Sequence, residues 1–183
     1  MSNDISALLE AAGERVAVVL DGIDDGMLDA PTPCSEYDVR GLLNHLLHVT
    51  VQFQALAAKR TPDFTATPDY VADEPDWRGL FAKERAQLAA AWAAPGALEG
   101  ATGLSGLPAT TVARMILGDY VVHGWDLARA TGRPYEPAPT CSRTSTRLGR
   151  ARARGAPEGR LRRGRPGTGG RLAPRHPPRA DRP

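Results

Sequence analysis

Asp119 and His123 stand four residues apart in the stretch GDYVVHGWDLARATG, residues 118–132, with Asp126 one turn further on. At about 100° per residue in a helix, Asp119 and His123 lie about 40° apart on one face. A carboxylate and an imidazole so placed can hold one divalent cation between them. The same face carries Val112, Met115, Ile116, Leu127 and Ala130, so the polar groups sit on an apolar stripe. The opposite side carries Leu117, Val121 and Trp125, which predicts a helix buried nearly all round. Burying an unpaired carboxylate costs several kcal/mol, so hydrogen bonds or a metal must compensate it. Two readings stay open on spacing alone: an Asp–His pair tying helices together, or half of a cation site.

A second histidine source lies upstream. In the stretch DVRGLLNHLLHVTVQFQALAAK, residues 38–59, Val39, Leu42, Leu43, Leu46, Thr50, Phe53 and Ala57 fall on one stripe. His45 flanks that stripe, within reach of an interior, whereas His48 points about 180° from it, toward the surface or a site margin. Cys34, just ahead of this segment, reads as a small packed residue, and Trp77, Trp92 and Trp125 read as core.

These groups need elements to hold them. Residues 6–23 carry Leu8, Leu9, Ala12, Val16, Val19, Leu20 and Ile23 at helical spacing. Residues 29–37 form a loop with two prolines, and Ser35 or Asp38 is placed to cap the helix after it. Residues 60–76 are a polar, proline-containing connection, 77–94 a third helix, and 95–108 a Gly/Pro break. Residues 109–131 form the fourth helix, stopped by Gly132 and Pro134. No period-2 strand pattern competes, so the expectation is an all-α four-helix bundle.

The net charge of +2 conceals a split. Residues 1–135 hold 10 Lys+Arg against 18 Asp+Glu; residues 136–183 hold 13 Arg, no Lys and 3 acids, with 8 Pro and 7 Gly. After Tyr135 the only large aliphatic residues are Leu148, Leu161 and Leu172. Such a segment cannot bury enough apolar surface to offset chain entropy, which predicts a disordered tail. One reading of it is a basic nucleic-acid-binding arm. The other is a shifted reading frame in GC-rich coding DNA, favoured by the abrupt switch and the absence of Lys. The expected division is therefore a bundle over 1–135 and a low-complexity basic tail over 136–183. No apolar run is long enough to span a membrane, the N-terminus lacks a signal-peptide pattern, and two cysteines suggest no disulfide framework. The cytoplasm is the expected compartment.

The pair TPCSEYDVRGLLNHL and, about 75 residues later, DYVVHGWDLARATGRP resembles the mycothiol-dependent maleylpyruvate isomerase N-terminal domain family, part of the DinB-like superfamily of metal-binding four-helix bundles. The resemblance covers residues 1 to about 135. It implies that His45, Asp119 and His123 are metal ligands, with Asp126 orienting the His123 ring. Members commonly carry Glu where this chain has Asp119. Two imidazoles and a carboxylate with open positions suit catalytic Zn²⁺, with Ni²⁺ or Fe²⁺ as alternatives. The implied cosubstrate is mycothiol or a similar low-molecular-weight thiol, used for isomerisation or S-transfer on a small electrophile. The implied partners are that thiol and a small-molecule substrate, with neither membrane nor nucleic acid, and a homodimer is a candidate assembly. A metal-dependent hydrolase and a non-catalytic metal-binding or interaction bundle are the competing readings.

Overall fold

The computed structural model describes residues 5–104 and 106–136. What was expected of residues 137–183, as a basic arm or a shifted frame, lies outside the described residues. The helices are α1 (Ile5–Leu20), α2 (Val39–Ala57), α3 (Tyr70–Asp73), α4 (Trp77–Ala93) and α5 (Ala109–Thr131), with a 3₁₀ turn at Asp25–Met27. Among the described residues the only β features are isolated bridges, Pro31 with Asp38 and Ala101 with Pro108.

The four long helices form the expected bundle. α1 and α2 each pack against both α4 and α5, so α1 faces α2, and α4 faces α5, across the core. The apolar stripes meet there: Leu9, Val16 and Leu20 of α1, Leu42, Leu46 and Leu56 of α2, Phe81, Leu88 and Trp92 of α4, and Val112, Ile116 and Leu127 of α5 are all buried. Helicity in such segments is secured chiefly by this packing rather than by propensity.

The helix ends are set by local chemistry. Of the two candidate caps before α2, Asp38 does the work, its carboxylate accepting the Gly41 N–H at 2.7 Å. Asp76 does the same for α4 through Gly79 N–H at 3.0 Å. α5 ends where Gly132 adopts φ +67°, a left-handed conformation that glycine reaches without steric cost. The chain then turns back along α5. Tyr135 lies against Gly124, where an added Cβ would approach its hydroxyl to 2.9 Å, and that hydroxyl donates to the Tyr120 carbonyl at 3.2 Å.

Two expectations need correction. α5 is not buried all round: Met115, Val122 and Trp125 are 39%, 50% and 46% exposed. α5 packs against α1 and α2, so the side turned from both stays open, and Trp125 is a surface residue with Arg129 above its ring. Trp77 and Trp92 are core, as expected.

The second correction concerns His48, which is only 5% exposed. It does point away from the stripe, but the 60–76 connection folds over that side of α2. Asp69 caps α3 and ties it down, accepting from Asn44 at 2.8 Å and pairing with Arg40 at 3.3 Å. Phe64 then stands edge-on to the His48 ring with centroids 5.7 Å apart, and the Tyr70 hydroxyl lies 3.4 Å from Nδ1. The buried Nε2 has no hydrogen-bond partner among the described residues.

Candidate metal centre

α2 and α5 are neighbours in the bundle, and their polar residues meet at that seam. One donor atom each from His45, Asp119 and His123 lies within 4.8 Å of the others. The His45 and His123 rings meet edge to face at 5.2 Å between centroids. The i, i+4 relation sets Asp119 and His123 side by side on α5, and α2 supplies the third group from across the seam. All three are half-buried.

Each ring is held from behind. Asp126 Oδ2 lies 3.0 Å from His123 Nδ1, and Asp126 is itself buried. With Nδ1 engaged by a carboxylate, Nε2 is the nitrogen left for a cation, the usual arrangement behind a ligating histidine. Tyr37, from the loop before α2, stacks on His45 at 5.1 Å, with its hydroxyl 3.5 Å from Nδ1. That loop is fixed by Thr32, whose hydroxyl donates to the Tyr37 carbonyl at 2.6 Å.

The electrostatics suit a cation at this seam. Burial pushes the Asp119 carboxyl up to about 6, and the nearby His123 offsets this only in part. Burial also holds His45 down at about 4, with His123 and His48 adding to the effect. Among the described residues no hydrogen bond satisfies the Asp119 carboxylate. A half-buried carboxylate disfavours its own charge, whereas a divalent ion beside it would relieve that cost. The donor set, two nitrogens and one oxygen, fits Zn²⁺ and its borderline neighbours.

The sequence reading missed Cys34. Its thiol is not simply packed: sulfur, a His123 nitrogen and an Asp126 oxygen lie within 4.8 Å of one another. The 29–37 loop brings it there, a fold-back that helical spacing cannot express. His48 stays apart from both groups. Replacing it with alanine should leave bound metal unchanged and lower stability by about 1–3 kcal/mol, because it opens space beneath Phe64 and Tyr70. Metal analysis beside thermal unfolding checks both halves of that expectation.

The sequence matches the family described as "Mycothiol maleylpyruvate isomerase N-terminal domain" over residues 9–128. Two uncharacterized proteins of Mycobacterium tuberculosis, from strains CDC 1551 / Oshkosh and ATCC 25618 / H37Rv, are each 30% identical over 177 residues, spanning 94% of this chain and 90% of theirs. No solved structure matches.

Proposed function

Because the chain belongs to the mycothiol maleylpyruvate isomerase N-terminal domain family, we propose that it binds a divalent metal, Zn²⁺ in the first instance, and uses a low-molecular-weight thiol such as mycothiol for isomerisation or S-transfer on a small electrophile. The observation that carries this reading is the convergence of His45, Asp119 and His123 within 4.8 Å, with Asp126 behind His123.

His45, Asp119 and His123 would hold the ion. When bound, it supplies Lewis acidity that favours the thiolate form of a thiol reaching its open position. The protein's own part is positional. Asp126 fixes the tautomer and rotation of His123, and Tyr37 fixes the plane of His45. The surrounding α2 and α5 side chains limit water at the seam, which strengthens electrostatic interactions inside it. The reaction class is addition of a thiol across an activated double bond. Rotation and elimination of the thiol then give the geometric isomer; retention of the C–S bond gives a thioether.

The test uses the full chain loaded with one equivalent of Zn²⁺. Maleylpyruvate is offered with and without mycothiol, and both the geometric isomer and the thioether are assayed. Turnover should require both metal and thiol, and stop on chelation. Equal rates without thiol would point to a hydrolase, and stoichiometric metal without turnover to a binding bundle; either result overturns the proposal.

A further inference from the structure

Cys34, His123 and Asp126 form a second group of metal-capable donors, mutually within 4.8 Å, that shares His123 with the first. The two groups share only His123. Asp126 contacts Nδ1 of the ring at 3.0 Å, which leaves Nε2 open to a second partner. One group is all nitrogen and oxygen, and the other contains sulfur.

We propose that Cys34, Asp126 and Nδ1 of His123 form a second cation station, selective for a soft ion, which is bridged to the first through the His123 ring. Sulfur is the feature that separates the stations chemically: thiolate favours Zn²⁺, Cd²⁺ and Cu⁺ over harder ions, whereas imidazole and carboxylate alone do not discriminate so strongly. Donors around a tetrahedral ion stand about 3.3–3.6 Å apart at ordinary Zn–N and Zn–S lengths, so closing from 4.8 Å takes side-chain movements of about 1 Å.

The thiol is placed rather than loose. Thr32 Oγ1 accepts the Cys34 N–H at 3.2 Å while its own proton goes to the Tyr37 carbonyl at 2.6 Å, which pins the loop on both sides of Cys34. Cys34 also lines a cleft of about 410 Å³ with Asp29, Glu36, Tyr37 and Asp38. The His123 ring becomes a bridge between two cations, so occupancy of one station changes the affinity of the other.

The experiment titrates Cd²⁺ into the metal-free full chain carrying Cys141→Ser, which leaves Cys34 as the only thiol. A thiolate-to-cadmium ultraviolet band should appear, and adding Cys34→Ser should abolish it. His45→Ala, which breaks only the first station, should keep the band, and Asp119→Asn serves the same purpose should His45→Ala not fold. His123→Ala should lose the band and the first equivalent together. A band that survives Cys34→Ser, no band at all, or a band lost in a folded first-station variant overturns the proposal; the last result would make Cys34 a ligand of a single centre. Zn²⁺ stoichiometry measured by chelator competition in the chain carrying Cys34→Ser reports the first station separately, so failure there is told apart from failure here.

Discussion

His123→Ala should strip the protein of stoichiometric divalent metal while leaving its helical content nearly intact. The ring is the common member of both donor groups and stands between Asp119 and Asp126. Alanine removes the nitrogen that faces His45 and Asp119, leaving one imidazole and one carboxylate. Two ligands rarely hold Zn²⁺ against water at neutral pH, where structural and catalytic sites use three or four. The fold should persist because the α5 anchors Val112, Ile116, Leu117 and Leu127 lie at other positions and remain buried. The expected loss in affinity is at least about 10²-fold, since deleting a group that merely orients a ligand already costs 10–100-fold. Elemental analysis of wild type and variant purified without added metal, with circular dichroism on both, decides the matter. Full metal retention in the folded variant would remove His123 from the centre.

The helices were legible because burial and period agree. α5 was bounded at residues 109–131 on sequence, and Ala109–Thr131 is the helix observed; Gly132 and Pro134 mark its end by conformations a helix cannot continue. The pairing of His45 with Asp119 and His123 was harder. Spacing brings Asp119 to His123 within α5 but says nothing of which α2 residue meets them; the resemblance supplied His45, and the α2–α5 seam brings it within reach. What stayed illegible was the contribution of non-periodic chain. The 60–76 connection buries His48 through Phe64 and Tyr70, and the 29–37 loop carries Cys34 and Tyr37 to the metal-capable side chains. Both depend on loop closure between distant contacts, such as Asp69 with Arg40 and Asn44, which leaves no periodic trace. Trp125 misled for the opposite reason. A large apolar residue on a core-like helix was read as buried, but α5 has partners on two sides only.

Asp119→Asn should move stability and metal binding in opposite directions. Burial pushes the Asp119 carboxyl up to about 6 in the folded protein, from its ordinary 3.8. A raised acid contributes stability that is fully present below the unfolded value and lost as pH rises through the folded one. Above pH about 6, then, the metal-free protein carries a buried charge at a cost of order 3 kcal/mol, two pKa units converted at about 1.4 kcal/mol each. Asparagine keeps the shape and removes the charge, though its amide protons also need partners. Metal-free Asp119→Asn should therefore unfold about 1–3 kcal/mol later than metal-free wild type at pH 7.5. That advantage should shrink as pH falls through about 6 and vanish near 4. His45, held at about 4, gives the reverse slope, losing its contribution as pH falls from 6.5 toward 4; it is common to both proteins, so their difference isolates Asp119. Excess Zn²⁺ should invert the order. Wild type gains about 4 kcal/mol at a thousandfold excess over its dissociation constant, while the variant, lacking the one anionic ligand of the set, gains little. Denaturant melts of both proteins from pH 5 to 8, with chelator and with Zn²⁺, measure this crossing. Parallel curves, or a wild type as stable as the variant without metal, would mean that Asp119 is satisfied by the protein alone and that no cation is needed at the seam.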